Sequence, residues 1–143
     1  MSDTNMHQLA FSSLEYANGY LKVFQHGVES DKPRFNNELL YQLAVMCLEK
    51  YMVGLLARYD WPATHHMPLA LFKEAKEFDP LLTDEMKQTA ILVGKFESIC
   101  ALDGGGYTIP SKEELRLMLS GIKRIKKVVD QRMKEIEPVG QGD

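Results

Sequence analysis

Cysteine, tryptophan and proline are scarce in this sequence of 143 residues, which has two cysteines, one tryptophan and six prolines. Cys47 and Cys100 both lie among apolar residues, and the N-terminus has no signal-like apolar segment, so we expect reduced thiols in a cytoplasmic protein. No apolar run reaches the ~18 residues of a membrane span, because polar side chains interrupt even the densest stretch, residues 39–56. The sequence therefore predicts a soluble protein that has no disulfide framework and does not enter a membrane.

Motifs for metals and nucleotide phosphates are missing as well. Di-iron bundles need an acid with a histidine three residues later, and no Glu or Asp in this sequence has one. Neither a Cys-x-x-Cys pair nor a His-x-x-x-His pair occurs, which argues against zinc. Glycines 104–106 precede a predicted helix, but the lysine of a P-loop does not follow them. We therefore expect no metal and no cofactor, and we interpret the glycine run as a hinge loop.

What is present follows helical periodicity. The clearest stripe repeats apolar residues at spacings of three and four: Leu115, Met118, Ile122, Ile125, Val129, Met133 and Ile136. Turns rich in proline and glycine separate five such segments. We predict helices over residues 4–25, 36–59 and 84–101, a short third helix that begins near Pro68, and a fifth that follows Ser111. Thr83 is a predicted N-cap, and Ser111 with Glu114 has the spacing of a capping box.

These segments predict an all-α fold with a four-helix up-and-down core, and the short third helix packs across one end or side of it. Residues 1–137 form a single domain, and residues 138–143 form a disordered tail. The second helix is apolar nearly all round, so we expect it at the centre of the bundle or in a partner interface. The predicted core includes Leu14, Leu21, Leu40, Leu43, Cys47, Tyr51, Val93, Ile122 and Val129.

The net charge of -3 hides a basic last helix. Residues 111–136 contain eight Lys or Arg and four Asp or Glu, which leaves a charge of -7 for the rest of the chain. Within this helix Lys123, Arg124, Lys126 and Lys127 lie close together, as a phosphate-contacting surface would require. The alternative is that these cations oppose the negative end of the helix dipole and keep the helix soluble.

A polar cluster surrounds the turn after the second helix. Its members are Arg58, Asp60, Thr64, His65 and His66, with Trp61 among them. An arginine can stabilise a developing phosphorane and a histidine can exchange a proton near neutral pH, so Arg58 and His65 are candidates for metal-independent RNA cleavage. The alternative is a structural cluster, in which Arg58 stabilises the C-terminus of the second helix and Thr64 or a histidine stabilises the start of the third.

The same turn also has the composition of a nucleotide site. Lys50, Arg58, His65 and His66 would supply cationic or protonatable groups beside the flat face of Trp61. This combination suits a phosphate attached to a base. We therefore predict these five residues as ligand-binding.

Four segments carry a resemblance to a known family: "LAVMCLEKYMVGLL" in the second helix, "WPATHH" in the loop, "LALFKEA" in the third helix, and "YTIPSKEEL" before the last. Over residues 5–135 the chain resembles a HEPN domain, most specifically at the adjacent Glu49 and Lys50 and at the Thr64 to His65 turn. Many HEPN proteins are metal-independent ribonucleases that use an Arg and a His separated by four to six residues. Others have no demonstrated enzymatic role.

The resemblance implies two functions. In the family the catalytic pair usually lies on or beside a late helix, and the late helix here has no histidine. We therefore expect a non-catalytic, HEPN-like interaction module that binds a protein partner, a nucleotide or RNA. The alternative is a toxin-like endoribonuclease that uses Arg58 and His65, which have six residues between them. HEPN domains commonly dimerise and often pair with a nucleotidyltransferase-like antitoxin, so we expect a homodimer and a partner of that kind.

Overall fold

The computed structural model describes the backbone of residues 2–30, 36–103 and 109–136, and the side chains of all of these except 2–4 and 97–103. Within them the chain forms five helices and no strand: α1 Ser2–Glu29, α2 Asn37–Arg58, α3 Pro68–Lys76, α4 Asp84–Asp103 and α5 Lys112–Lys134. The predicted all-α fold is confirmed. The predicted hinge glycines 104–106, the predicted tail 138–143 and the side chain of Cys100 lie outside what the structure describes.

The helix starts have the predicted caps. Ser111 Oγ accepts from the backbone N–H of Glu114 at 3.1 Å, and Glu114 Oε1 accepts from the backbone N–H of Ser111 at 2.9 Å, which completes the capping box of α5. Thr83 Oγ1 accepts from the backbone N–H of Met86 at 3.2 Å. Pro68 begins α3, where its missing N–H leaves no donor unpaired. Local sequence signals therefore set these three boundaries.

Helix α2 is central, because it packs against each of the other four helices. The helices α1, α2, α4 and α5 surround a common core, and the short α3 packs against α2 and α4. Of the nine predicted core residues, Leu14 and Leu43 are only partly buried and the other seven are buried. Burial raises the pKa of the Cys47 thiol to about 12, which keeps it protonated and unreactive.

By length and composition α2 is the one helix among the described residues that could cross a membrane. However, 56% of its most apolar 18-residue window is buried inside the fold. A core helix of a soluble bundle has this character, since it must be apolar on every face that a neighbouring helix covers.

Two glycines show how closely the helices approach. A Cβ added to Gly54 of α2 would lie 3.2 Å from the carbonyl oxygen of Ala10 and 3.2 Å from the Cβ of Ser13, so α1 and α2 nearly touch there. A Cβ added to Gly121 of α5 would lie 1.9 Å from Oγ1 and 2.8 Å from the Cβ of Thr89 in α4. These two positions therefore set the separations of the α1–α2 and α4–α5 pairs.

We predict that Gly121→Ala lowers the free energy of unfolding by up to about 2 kcal/mol. The Cβ of Thr89 is fixed to its backbone, so α4 must move away at a cost of about 1–3 kcal/mol. A gain of about 1 kcal/mol in helix propensity offsets part of this cost. The matched control is Gly19→Ala on α1, where a Cβ meets nothing within 4 Å and only the propensity gain applies. Urea unfolding followed by circular dichroism measures both, and equal shifts in the two variants would contradict the prediction.

Candidate functional site

The loop between α2 and α3 is organised by the carboxylate of Glu74. Its Oε2 accepts hydrogen bonds from Trp61 Nε1 at 2.9 Å and from Thr64 Oγ1 at 2.7 Å, and the backbone N–H of Thr64 donates to it at 3.1 Å. His65 Nδ1 lies 3.0 Å from Oε1. The structure thus brings together Trp61, Thr64 and His65 of the predicted cluster, and it does so around an acid.

Glu74 is buried, and burial alone would raise the pKa of its carboxyl group. Hydrogen bonds from Thr64, Trp61 and His65 outweigh this effect and lower the pKa to about 2, so the carboxylate is ionised near neutral pH. The sequence analysis missed Glu74. The sequence does contain an indication of it, because Glu74 is an acid inside the apolar stripe of α3, three residues after Leu71. A buried acid needs hydrogen-bond partners.

A pocket of about 410 Å³ lies beside this cluster, and its lining is Trp61, Thr64, His65, Ala70, Lys73, Glu74, Glu77 and Phe78. The indole of Trp61 packs against Phe78 at 5.2 Å between ring centroids. Two carboxylates against one ammonium give the lining a negative balance that does not favour phosphate. Among the described side chains, no group of three or more His, Cys, Asp or Glu is placed to hold a metal ion.

Arg58 lies at the end of α2 and turns towards α5. Its Nη2 donates to Glu135 Oε1 at 3.0 Å, and its guanidinium stacks 4.8 Å from the ring centroid of Tyr59. The ring of Tyr59 packs on Phe78 at 5.7 Å between centroids, and Phe78 packs on Trp61, so three rings lie between Arg58 and the rest of the loop. Arg58 and His65 are thus engaged by different carboxylates, and α3 begins after Met67 with no side-chain cap, so neither Thr64 nor a histidine caps it as the structural alternative expected.

Lys50 and His66, two further predicted ligand residues, are not among the residues that line the pocket beside Glu74. The ammonium of Lys50 is 5.9 Å from the ring centroid of Tyr16 on α1. Lys50 and Arg58 are eight positions apart, which corresponds to about 12 Å along the axis of α2. His66 follows His65 in the loop and is exposed. The five residues predicted from the turn therefore occupy several surroundings rather than one phosphate site.

A second carboxylate, Asp79, ties the end of the bundle together. It is fully buried, and it accepts from Arg132 Nε at 2.8 Å, Arg132 Nη2 at 2.9 Å, Tyr59 Oη at 2.8 Å and the backbone N–H of Leu81 at 3.0 Å. Burial raises the pKa of Asp79, and these hydrogen bonds reverse the effect and lower it. Arg132 also donates to Glu135 at 3.2 Å, so Glu135 bridges Arg132 and Arg58.

The predicted basic surface forms an open groove of about 400 Å³ on α5, lined by Arg116, Leu119, Ser120, Lys123, Arg124 and Lys127. Arg124 makes an exposed ion pair with Glu85 of α4 at 2.8 Å. Lys126, the remaining predicted member, pairs with Asp130 one turn further along α5. The sequence analysis missed Arg116 and Ser120, although their spacing from Lys123 and Lys127 places all four on one helical ridge.

We predict that the α2–α3 loop opens in acid. The folded pKa of Glu74 is depressed, so its contribution to stability is complete above the ordinary carboxyl pKa of about 4.3 and is lost as the pH falls towards 2. Trp61 is the only tryptophan, so its emission should shift over this interval while circular dichroism reports whether the helices persist. In Glu74→Gln the emission should differ already at neutral pH, with a loss of about 1–3 kcal/mol in unfolding free energy.

The control for that titration is Glu77→Gln, an exposed acid on the same pocket wall. In Glu77→Gln the emission of Trp61 should change with pH as it does in the unaltered protein, because the hydrogen bond of Trp61 goes to Glu74. An acid transition of Trp61 that survives unchanged in Glu74→Gln would show that another group holds the loop.

Comparison with known proteins gives no relative from which to transfer a function. No family model, no curated protein and no solved structure matches this chain. The resemblance to HEPN domains therefore stays a hypothesis, and the chemistry of the described surfaces has to carry the functional argument.

Proposed function

We propose that this protein is a non-catalytic, HEPN-like binding module of the cytoplasm that binds single-stranded RNA through the groove on α5. The observation that carries the proposal is the convergence of Arg116, Lys123, Arg124 and Lys127 on one open groove. Cations arranged along one ridge displace the counterions of a nucleic acid, and this release supplies most of the affinity in sequence-independent binding.

The length of the groove favours a strand over a single nucleotide. Arg116 and Lys127 are eleven residues apart, which corresponds to about 17 Å along the helix. The phosphate of one nucleotide cannot contact both ends of this span, whereas successive phosphates of an extended strand can. The HEPN resemblance points to RNA rather than DNA.

The charge distribution supports the same surface. Residues 111–136 have a balance of +4 and the rest of the chain has -7, so the field of the molecule directs an anion towards α5. The pair between Arg124 and Glu85 is exposed on both sides, and such pairs contribute only about 0–1 kcal/mol. Arg124 can therefore exchange Glu85 for a phosphate at little cost.

The contacts of Arg58 and His65 support binding without catalysis, since a cleaving pair would have to act together on one phosphate. One observation favours the alternative endoribonuclease. His65 is oriented by the buried carboxylate of Glu74 and its ring is about half exposed, which is the arrangement of an oriented general base. The experiment below therefore also tests for endoribonuclease activity.

We predict that the double variant Lys123→Gln, Lys127→Gln binds a fluorescent RNA of about ten nucleotides roughly tenfold more weakly at about 50 mM salt. Fluorescence anisotropy across a salt series gives the slope of the logarithm of the binding constant against the logarithm of salt concentration. This slope should be about -2.8 for four phosphate contacts and about -1.4 for the double variant. The emission of Trp61 should stay constant on binding, because its indole contacts Glu74 of α3 and Phe78, neither of which lies on α5.

The matched control removes the same charge elsewhere, with Lys22→Gln on α1 and Lys95→Gln on α4, both exposed. Its affinity should stay within about twofold, since residues far from the contact change only the long-range field. Equal weakening in the two double variants, or no binding at low salt, would overturn the assignment of the groove.

The same RNA tests the rival. The unaltered protein should leave the strand intact, and its expression should not arrest the growth of a bacterial host. Fragments that appear with the unaltered protein and disappear in both Arg58→Ala and His65→Ala would establish the endoribonuclease instead.

A further inference from the structure

Trp61, the only tryptophan of the chain, is uncovered and yet fixed in place. Its side chain lies in the wall of the pocket beside Glu74, and the residue is 42% exposed. The hydrogen bond to Glu74 Oε2 holds the edge of the indole, and Phe78 supports the ring with an angle of 44° between the two planes. A large aromatic ring that is held in one orientation and left open to solvent offers a ready contact surface to a ligand.

The pocket in front of this ring has the size and composition of a small-molecule site. Its volume of about 410 Å³ falls within the range of roughly 300–1,000 Å³ that is usual for ligand pockets. Along α3 and its C-cap the lining residues are Ala70, Lys73, Glu74 and Glu77, whose spacings of three and four place them on one face. One wall is therefore aromatic and the other carries the charges.

The two carboxylates of the pocket have different surroundings. Glu74 is buried, and Trp61, Thr64 and His65 are its hydrogen-bond partners. Glu77 is exposed, and the described side chains include no ion-pair partner for it. The carboxylate of Glu77 is thus open to a ligand, whereas that of Glu74 orients the indole.

This lining is complementary to an organic cation. The face of an indole attracts positive charge, and with His65 neutral the two carboxylates and Lys73 leave the pocket a charge of -1. A methylated ammonium group fits better than a primary one, because its methyl groups can pack against Trp61, Phe78 and Ala70. Aromatic side chains are the usual partners of such groups in proteins.

We propose that this pocket binds a methylated ammonium group, with the cation against the exposed face of Trp61 and beside the carboxylate of Glu77. Glu74 acts as a positioning residue through the indole N–H. The site is separate from the basic groove, since none of its lining residues lies on α5, and it does not depend on RNA binding. Free quaternary amines and methylated lysine side chains both carry this chemistry.

The first test compares choline with its neutral isostere 3,3-dimethylbutan-1-ol, in which carbon replaces the charged nitrogen. Choline at millimolar concentration should give a saturable change in the emission of Trp61, measured against sodium chloride of equal ionic strength. The isostere should bind roughly tenfold more weakly, because it keeps the shape and loses the attraction to the ring and to Glu77. No saturable change, or equal binding of the two compounds, would overturn the proposal.

Charge variants of the pocket should act in opposite directions. Glu77→Gln should weaken choline about two- to fivefold, and Lys73→Gln should strengthen it by a similar factor, because the pocket is exposed and partly screened by solvent. The matched control is Glu15→Gln, which removes an exposed acid from α1, outside the lining. Its affinity should stay within about twofold. Equal effects of Glu77→Gln and Glu15→Gln would contradict the placement of the cation.

Two replacements of Trp61 separate its contact with the ligand from its support of the loop. Trp61→Phe and Trp61→Leu both lose the hydrogen bond to Glu74, and only phenylalanine keeps an aromatic face. Calorimetric titration should show choline binding retained in part by Trp61→Phe and weakened roughly tenfold in Trp61→Leu. Circular dichroism checks that the helices persist in both. Equal losses in the two variants would show that the ring acts only through the loop, against the proposal.

The two sources of the group are distinguished with peptides. A short peptide that contains trimethyl-lysine should bind at least about fivefold more tightly than the same peptide with unmodified lysine. If the methylated peptide also binds more tightly than choline, the ligand is a protein side chain, and if choline binds as tightly, it is a free amine. Equal affinities of the methylated and unmodified peptides would overturn the preference for a methylated group.

Discussion

The arrangement at one end of this bundle depends on the buried carboxylate of Asp79. It lies in the turn between α3 and α4, yet its partners come from the last turn of α5 and from the residue after α2, through Arg132 and Tyr59. A buried charge is tolerated only when it is paired and hydrogen-bonded, so these three chain segments cannot separate without exposing it. The position of Tyr59 in turn fixes Phe78 and, through it, Trp61.

Carboxylates also hold the side chains of Arg58 and His65 around the turn after α2. Three carboxylates, Glu74, Asp79 and Glu135, lie among the loop donors and the two arginines, and each occupies groups that a phosphate would otherwise bind. The pairs of Glu74 and Asp79 are costly to open, because both carboxylates are buried and would be left unpaired. On α5, Arg124 and Lys126 pair with Glu85 and Asp130, and Arg116, Lys123, Arg124 and Lys127 line the open groove.

Helix positions, caps and the central place of α2 could be predicted because they depend on neighbours within about one turn. Periodicity identified α5, and the hydroxyl and acid at Ser111 and Glu114 identified its start. The hydrogen-bonded clusters could not be predicted in the same way. Asp79 and Arg132 are 53 residues apart, and nothing local in either segment specifies the other. A buried acid within an apolar stripe, such as Glu74, indicates that partners are needed and leaves their identity open.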